Sequence, residues 1–184
     1  LVMGGNVKGG QIYGTYPSLA LNNPLEIGNG VLIPTLATDE YFAELARQYL
    51  QQGWQVLLFG SANDKQECAL IRKACAGHPA CIDLAGRTSL AQAVDLLSLA
   101  TAVVSNDSGL MHIAAALGRP LLAIYGATSP GFTPPMGSRA SLQVSDIDCA
   151  PCFQRECPLG HHRCMRETLP VAVADKLQAL LAET

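Results

Sequence analysis

The sequence predicts an α/β protein: a Rossmann-like parallel sheet with helices on both of its faces. Short apolar runs alternate with amphipathic stretches of helical period between residues 54 and 125. Hydrophobic residues make up 49% of the chain and charged residues only 15%, which suits a sheet that is buried on both sides. Three of the apolar runs end in turns of small or polar residues, as strands of a parallel sheet do where they carry a ligand site.

The regular part of the chain begins at Asp39. The stretch from Asp39 to Gln52 predicts a helix that Gly53 ends, because its apolar residues recur on one side. Those apolar residues are Phe42, Leu45, Ala46, Tyr49 and Leu50. Further elements follow in the order strand, helix, strand, helix, at residues 54–59, about 64–76, 81–84 and 90–99. Ser89 and Gln92 form the S-x-x-Q pattern of a capping box in front of the last of these helices.

A strand–helix–strand unit occupies residues 101–125. An apolar strand, Thr101 to Val104, runs into the turn Ser105 to Gly109 and then into a helix. The apolar residues at helical spacing are Leu110, Ile113, Ala114 and Leu117. Gly118 is placed for a left-handed cap, and Pro120 stops the helix before a second strand, Leu121 to Tyr125. A crossover of this kind predicts that the two strands are parallel.

One more helix is predicted near the end of the sequence, at residues 171–181, with Pro170 in its first turn. Its apolar residues are expected to pack against the sheet or against a neighbouring lobe. They are Val173, Leu177, Leu180 and Leu181.

Residues 1–38 have a different composition from the rest, so the sequence divides into an irregular segment, 1–38, and a domain, 39–184. The segment is rich in Gly, Asn and Pro and shows no helical period, although Val31 to Ile33 predicts a strand. VMGGNVKGGQIYGTYPSLAL and GNGVLIPT resemble the C-terminal part of an uncharacterised bacterial family of twin-arginine-exported, sulfatase-like proteins. This resemblance covers about residues 1–46. It lacks the metal-binding residues of such enzymes and therefore implies no activity.

Composition and charge exclude several classes of protein. The net charge is −3 and no basic stripe is present, so binding to nucleic acid is not expected. No apolar run is long enough to span a bilayer, and no signal peptide is visible. Seven cysteines without a secretory leader are expected to be reduced thiols. We therefore expect a cytoplasmic protein, or one peripheral to the inner membrane.

Polar residues gather at the predicted carboxyl edge of the sheet. Glycines, hydroxyls and carboxylates at such an edge suit a nucleotide diphosphate and its sugar, and a helix N-terminus attracts phosphate. The candidate residues are Ser61, Asp64, Thr88, Asp107, Ser108, Gly109, His112 and Thr128. Structural roles are the alternatives: Asp64 as an acid at a helix start, Asp107 or Ser108 as a helix cap, and His112 as a surface histidine. A dinucleotide cofactor is disfavoured, because G-x-G-x-x-G does not follow the first strand.

Four cysteines lie close together near the end of the chain. Cys149, Cys152, Cys157 and Cys164 fall within 16 residues, and four thiolates could hold a structural zinc ion. The spacing is not that of a common zinc finger. The alternatives to zinc are reduced thiols that pack a loop, and disulfides. We expect that the protein requires no cofactor. The three remaining cysteines, at positions 68, 75 and 81, are expected to act as small buried apolar residues.

A second resemblance covers about residues 40–184. FGSANDKQE, LAGRTSLAQAVDLLSLATAVVSNDSGLMHIAAALGRPLLAIYGATSPGFTPP and CAPCFQRECPLGHHRCM are similar to the C-terminal half of the ADP-heptose–lipopolysaccharide heptosyltransferases. Within glycosyltransferase family 9, which has the GT-B fold, the chain resembles the heptosyltransferase II branch. The D-S-G-x-x-H turn, the A-A-x-G-x-P helix end and the cysteine loop carry the resemblance.

The resemblance implies a lobe that binds ADP-heptose or a related nucleotide sugar. Asp107, Ser108, Gly109 and His112 would meet the diphosphate and sugar, and residues near Ser61, Asp64 and Thr88 would border the ribose and adenine. In the complete enzyme, heptose would move to the lipopolysaccharide inner core, which is the acceptor.

The sequence also departs from this family. The N-terminal domain and its acidic general base have no counterpart in the chain, so we expect no catalytic residue and no transfer by the chain alone. The family's phosphate-gripping lysine loop is replaced by VLIPTLAT, residues 31–38, although Val31 to Ile33 could substitute for the strand before it. Two alternatives remain: a non-catalytic zinc-binding module, and a fragment or fusion that forms a homodimer through its exposed cleft face.

Overall fold

The computed structural model describes residues 2–3, 30–33, 39–154 and 156–183 of the chain. The irregular conformation predicted for residues 1–38 falls mostly outside these residues, as does the lysine-free stretch after Ile33. The regular domain predicted from Asp39 lies almost entirely within them.

Strands and helices alternate between residues 30 and 125 of the described chain. The strands are β1 Val2–Met3, β2 Gly30–Ile33, β3 Gln55–Leu58, β4 Cys81–Asp83, β5 Ala102–Asn106, β6 Leu121–Tyr125 and β7 Ala140–Val144. The helices are α1 Asp39–Gln51, α2 Lys65–Ala74, α3 Leu90–Ser98, α4 Gly109–Ala116, α5 Arg163–Arg166 and α6 Pro170–Ala182. A single 3-10 turn, Ala62–Asp64, leads into α2.

The sheet is parallel apart from its shortest strand. β3 pairs in parallel with β2 and with β4, and β6 pairs in parallel with β5 and with β7. β2 also contacts β5, whereas the hydrogen-bonded link between the two halves of the sheet is β1. The two-residue β1 lies antiparallel to β3 and β5. Val31 to Ile33 therefore forms the predicted strand, at the place where a first parallel strand of the domain is needed.

Helices cover the sheet in two groups. α1 contacts α2 and α6, whereas α3 contacts α4, as expected for layers on opposite faces. β5 and β6 are buried along their whole length, which explains their near-continuous apolar sequence. The last helix, α6, contacts β6, β7 and α1, so its apolar residues pack against the sheet and its covering helix. Within the described chain, no helix has both the length and the apolar character to cross a membrane.

Local signals in the sequence account for most element ends. Gly53 and Gly118 have φ values of +81° and +64°, the left-handed conformation that ends α1 and α4. The predicted capping box of α3 is present: Gln92 N donates to Ser89 Oγ at 3.3 Å, and Ser89 N donates to Gln92 Oε1 at 2.8 Å. The five apolar residues predicted for α1 are all buried.

Four details of the prediction were wrong or missing. β5 continues through Asn106, because Ser105, which was predicted in the turn, is buried in the sheet. α4 buries Met111, Ala114 and Ala115 most deeply, so its inner face is rotated from the predicted one. β7 was not predicted, since its residues are only partly buried and carry no continuous apolar run. α5 was not predicted either, because four residues are too few to show a helical period.

The capping box supplies the first testable prediction. Ser89→Ala removes an acceptor from the first turn of α3, so we expect the free energy of unfolding to fall by about 1 kcal/mol. Urea unfolding followed by circular dichroism measures this. Ser98→Ala is the matched control, because that exposed hydroxyl only donates to Asp95 O at the other end of the same helix. Equal effects of the two substitutions would contradict the prediction.

Candidate functional site

The turn after β5 is built around two serine hydroxyls. Ser105 is buried, and its Oγ lies 2.8 Å from Asn106 O and 3.1 Å from Ser108 Oγ. Ser108 has an extended backbone and accepts a hydrogen bond from Met111 N, so it is the N-cap of α4. This is the capping role that the sequence left open for Ser108. As a result, α4 begins immediately beyond the carboxyl end of β5.

Open space adjoins the first residue of α4. Gly109 is exposed, and a Cβ built on it would meet no atom within 4 Å. One turn further on, His112 is half-buried on the same helix. The amino end of α4, with its positive dipole, is therefore accessible to a ligand at the carboxyl edge of the sheet.

Asp107 is held by the loop that follows the neighbouring strand. Its backbone N–H donates to Ile124 O at 3.2 Å, and its Oδ2 accepts a hydrogen bond from Thr133 Oγ1 at 2.8 Å. The hydroxyl of Tyr125 in turn donates to Thr133 O at 2.6 Å. Burial raises the pKa of Tyr125 to about 12, and the charge of Asp107 adds to the shift, so Tyr125 stays a neutral donor. Thr133 lies 26 residues from Asp107, and no pattern in the sequence connects the two.

The loops after β3 and β4 lie at the same edge. Gly86 N donates to Gly60 O at 2.9 Å and so connects the β3 loop to the segment that carries the half-buried Thr88. Asp64 Oδ2 accepts hydrogen bonds from both the N–H and the hydroxyl of Ser61, at 2.6 and 2.7 Å. Asp64 therefore has the structural role that the sequence allowed for it, an acid at a helix start, and Ser61 is the N-cap that it holds.

A cavity of about 670 Å³ opens beside the turn after β5. Of the predicted site residues, Asp107 and Thr128 line it, whereas the lining takes nothing from the other six. The opposite wall is the cysteine loop, residues 149–165, including all four of its cysteines together with His161 and His162. The site therefore has two parts: the accessible start of α4, and a deeper cavity under the cysteine loop.

Three contacts fix the cysteine loop to the end of β6. Phe153 N donates to Ala127 O at 2.7 Å, and the rings of Phe153 and Phe132 pack edge to face with centroids 5.1 Å apart. Gly126 lies against Met165 and Cys164, so close that a Cβ at this position would clash with the Met165 side chain. The loop and the turn after β6 therefore form one packed unit.

The cysteines are free thiols. None of the seven forms a disulfide, and those at positions 68, 75 and 81 are buried, as predicted. Among the described residues, no group of three or more His, Cys, Asp or Glu side chains is arranged to hold a metal ion. The structural zinc site that the spacing of the loop cysteines allowed is therefore unsupported by the described residues.

Comparison with known proteins identifies the family. The chain matches glycosyltransferase family 9 (heptosyltransferase) over residues 38–163, and it belongs to that family. The match begins where the regular domain begins. It includes the turn after β5, the start of α4 and most of the cysteine loop.

The chain is similar to lipooligosaccharide and lipopolysaccharide heptosyltransferases. The chain is 42% identical over 146 residues to lipooligosaccharide heptosyltransferase 2 of Haemophilus influenzae, covering 78% of this chain and 42% of that protein. It is 41% identical over 145 residues to lipopolysaccharide heptosyltransferase 2 of Escherichia coli K12, again covering 78% of this chain and 42% of the relative. The chain therefore spans less than half the length of these relatives.

A solved structure agrees with these sequences. The chain superposes on the E. coli ADP-heptose lipopolysaccharide heptosyltransferase II with a TM-score of 0.73 and 38% identity, covering 84% of this chain and 46% of that one. The predicted fold, a Rossmann-like half of a GT-B glycosyltransferase, and the resemblance to the heptosyltransferase II branch are thus confirmed.

The thiols of Cys157 and Cys164 in the cysteine loop should react at different rates with alkylating agents. Backbone N–H groups, that of His162 at 3.5 Å first, lower the pKa of the Cys157 thiol. Burial raises the pKa of the Cys164 thiol, and the neighbouring cysteines add to that effect. At neutral pH a larger fraction of Cys157 is therefore thiolate, and we expect it to be alkylated first, with its rate rising at lower pH than that of Cys164.

Pulse labelling with iodoacetamide between pH 6 and 9 measures this order by mass spectrometry. Trypsin separates the two thiols, because it cuts after Arg163. Faster labelling of Cys164, or the same pH dependence at both thiols, would show that the backbone N–H groups do not stabilise the Cys157 thiolate.

Proposed function

We propose that residues 39–184 form the donor-binding lobe of a glycosyltransferase that moves heptose from ADP-heptose to the lipopolysaccharide inner core. The observation that carries the proposal is the accessible amino end of α4, flanked by Asp107 and Ser108 at the carboxyl edge of a parallel sheet. That is where open α/β sheets bind nucleotides. The likeness to heptosyltransferases narrows the nucleotide to ADP-heptose or a related nucleotide sugar.

The start of α4 suits the diphosphate. N–H groups at a helix N-terminus bind phosphate oxygens, and Gly109 lets the ligand approach the backbone without a side chain in the way. The Ser108 hydroxyl is held between Ser105 Oγ and Met111 N, which fixes its direction. We assign His112, one turn along the helix, to the same diphosphate or to the sugar next to it.

The Asp107 carboxylate would bind a different part of the donor from the start of α4. Asp107 repels phosphate and accepts hydrogen bonds, so its partner in the donor would be a hydroxyl of the sugar. The β3 and β4 loops, with Ser61, Asp64 and Thr88, would border the ribose and adenine. In this role Asp64 acts indirectly, since its carboxylate holds the hydroxyl and N–H of Ser61.

Transfer leaves negative charge on the departing diphosphate. Preorganised N–H donors and the positive end of α4 would stabilise that charge as it develops. Deprotonation of the acceptor hydroxyl needs a base, and among the described residues we assign none to that task. The family resemblance assigns it to the N-terminal half of such enzymes, to which the chain does not correspond. We therefore expect the chain alone to bind donor without transferring sugar.

The proposed acceptor is anchored in a lipid, so the complete enzyme would act in the cytoplasm or peripherally at the inner membrane. A homodimer through the cleft face stays a prediction. The zinc-binding module is less well supported, because the loop cysteines do not form a metal cluster in the described structure.

Ligand binding tests the proposal directly. We expect ADP and ADP-heptose to raise the melting temperature of the chain, since a ligand that binds only the folded state stabilises it. Asp107→Ala and His112→Ala should each weaken ADP-heptose binding by tenfold or more, about 1.4 kcal/mol. Isothermal titration calorimetry gives the affinities. Asp175→Ala, which removes an exposed carboxylate on α6, is the matched control. No melting shift at millimolar ligand would count against donor binding by this chain.

The variant Gly109→Ala distinguishes an effect on ligand access to the start of α4 from an effect on stability. A methyl group fits here without any contact and suits a helix better than glycine, so the melting temperature should stay the same or rise slightly. The same methyl group would stand in the space that the diphosphate needs, and ADP affinity should fall by roughly tenfold. Calorimetry and thermal unfolding measure the two effects. Unchanged ADP affinity would place the diphosphate elsewhere.

A further inference from the structure

A chain of hydrogen bonds connects the core of the sheet to Asp107. Tyr125, the last residue of β6, is fully buried, and its hydroxyl donates to Thr133 O at 2.6 Å. The Thr133 hydroxyl then donates to Asp107 Oδ2 at 2.8 Å. The first bond involves the backbone of Thr133 and the second its side chain. A buried tyrosine thus fixes the position of a surface threonine.

The loop that carries Thr133 is itself compact. Ser129 O accepts hydrogen bonds from Phe132 N at 3.0 Å and Thr133 N at 3.3 Å, and Ser129 Oγ accepts one from Gly131 N at 3.2 Å. Phe132 packs against Phe153 of the cysteine loop. The loop is therefore held by its own turn, by β6 and by the cysteine loop, so ordering the Thr133 hydroxyl costs little further entropy.

We propose that Thr133 is a positioning residue: its hydroxyl holds the Asp107 carboxylate in one rotamer and so presents it to the donor sugar. This rests on the proposed function for the identity of the ligand. A short carboxylate at a surface turn otherwise samples several rotamers, and each would point its oxygens differently. With Oδ2 bound to Thr133, Asp107 offers its other oxygen to a sugar hydroxyl, and a hydroxyl in the wrong place finds no acceptor.

The proposal assigns Thr133 to the sugar end of the donor. In the proposed function the diphosphate meets α4, whereas the Thr133 hydroxyl bonds to Asp107, the group that a sugar hydroxyl would find. Loss of the Thr133 hydroxyl should therefore weaken binding of ADP-heptose far more than binding of ADP. A merely structural role would affect both ligands equally.

Three variants of the full chain test this. Thr133→Val removes the hydroxyl and keeps the shape of the side chain, Thr133→Ser restores the donor, and Ser129→Ala disturbs the same loop without touching Asp107. For each we would measure the affinities for ADP and ADP-heptose by calorimetry. The χ1 angle of Asp107 would be measured from three-bond NMR couplings in the ligand-free protein, so this measurement needs no ligand.

We expect one Asp107 rotamer in the native chain, in Thr133→Ser and in Ser129→Ala, and averaged couplings in Thr133→Val. ADP-heptose affinity should fall about tenfold in Thr133→Val alone, with ADP affinity changed by less than about twofold, as for loss of a bond to a charged group. In an Asp107→Ala background, Thr133→Val should have no further effect on ADP-heptose binding.

The NMR result tests the positioning of Asp107 without any ligand. If Asp107 keeps a single rotamer in Thr133→Val, or is averaged already in the native chain, Thr133 does not position it. An equal loss of ADP and ADP-heptose affinity would also overturn the proposal. If the native chain binds neither ligand but the rotamer is lost in Thr133→Val, the proposed function fails for this chain while the positioning role stands.

Discussion

Parallel pairing of β5 with β6 is the constraint on which the site depends. Val103 lies opposite Leu121 and Asn106 opposite Ile124, so both strands end at the same edge of the sheet. This register places Asp107 beside the turn that starts at Gly126, although the two are far apart in sequence. A shift of one residue would turn buried side chains toward the wrong face of the sheet and would separate Asp107 from Thr133.

The strand ends alone do not form the site, because the loops that follow them determine where the side chains point. The β6 turn packs under the cysteine loop, and Gly126 allows this because Met165 occupies the space a side chain would need. Beyond that turn the chain returns to Asp107 through Thr133. Rigid strands thus set the positions of the backbone, and two loops set the direction of the functional side chains. A division of this kind is typical of α/β enzymes, in which chemistry is carried by loops on a stable sheet.

The family match concerns part of the length of the relatives. The chain corresponds to 42–46% of the relatives named above, and the match lies in the half that carries the D-S-G-x-x-H turn. A GT-B glycosyltransferase reacts in the cleft between two lobes. In the proposed function, donor binding depends on the sheet edge of one lobe, whereas transfer depends on both lobes.

Sequence alone determined the fold class, most of the elements and the position of the turn after β5, because these follow from local periodicity and from glycine, proline and capping residues. It also indicated Ser108 and Asp64, for which both a structural role at a helix start and a binding role were open. Only the tertiary structure showed that Ser108 caps α4, that Asp64 holds Ser61, that β2 pairs in parallel with β3, and that Tyr125 and Thr133 hold Asp107. The reason is physical: periodicity and capping act over a few residues, whereas the contact of Thr133 with Asp107 spans 26 positions and exists only once β5 and β6 have paired.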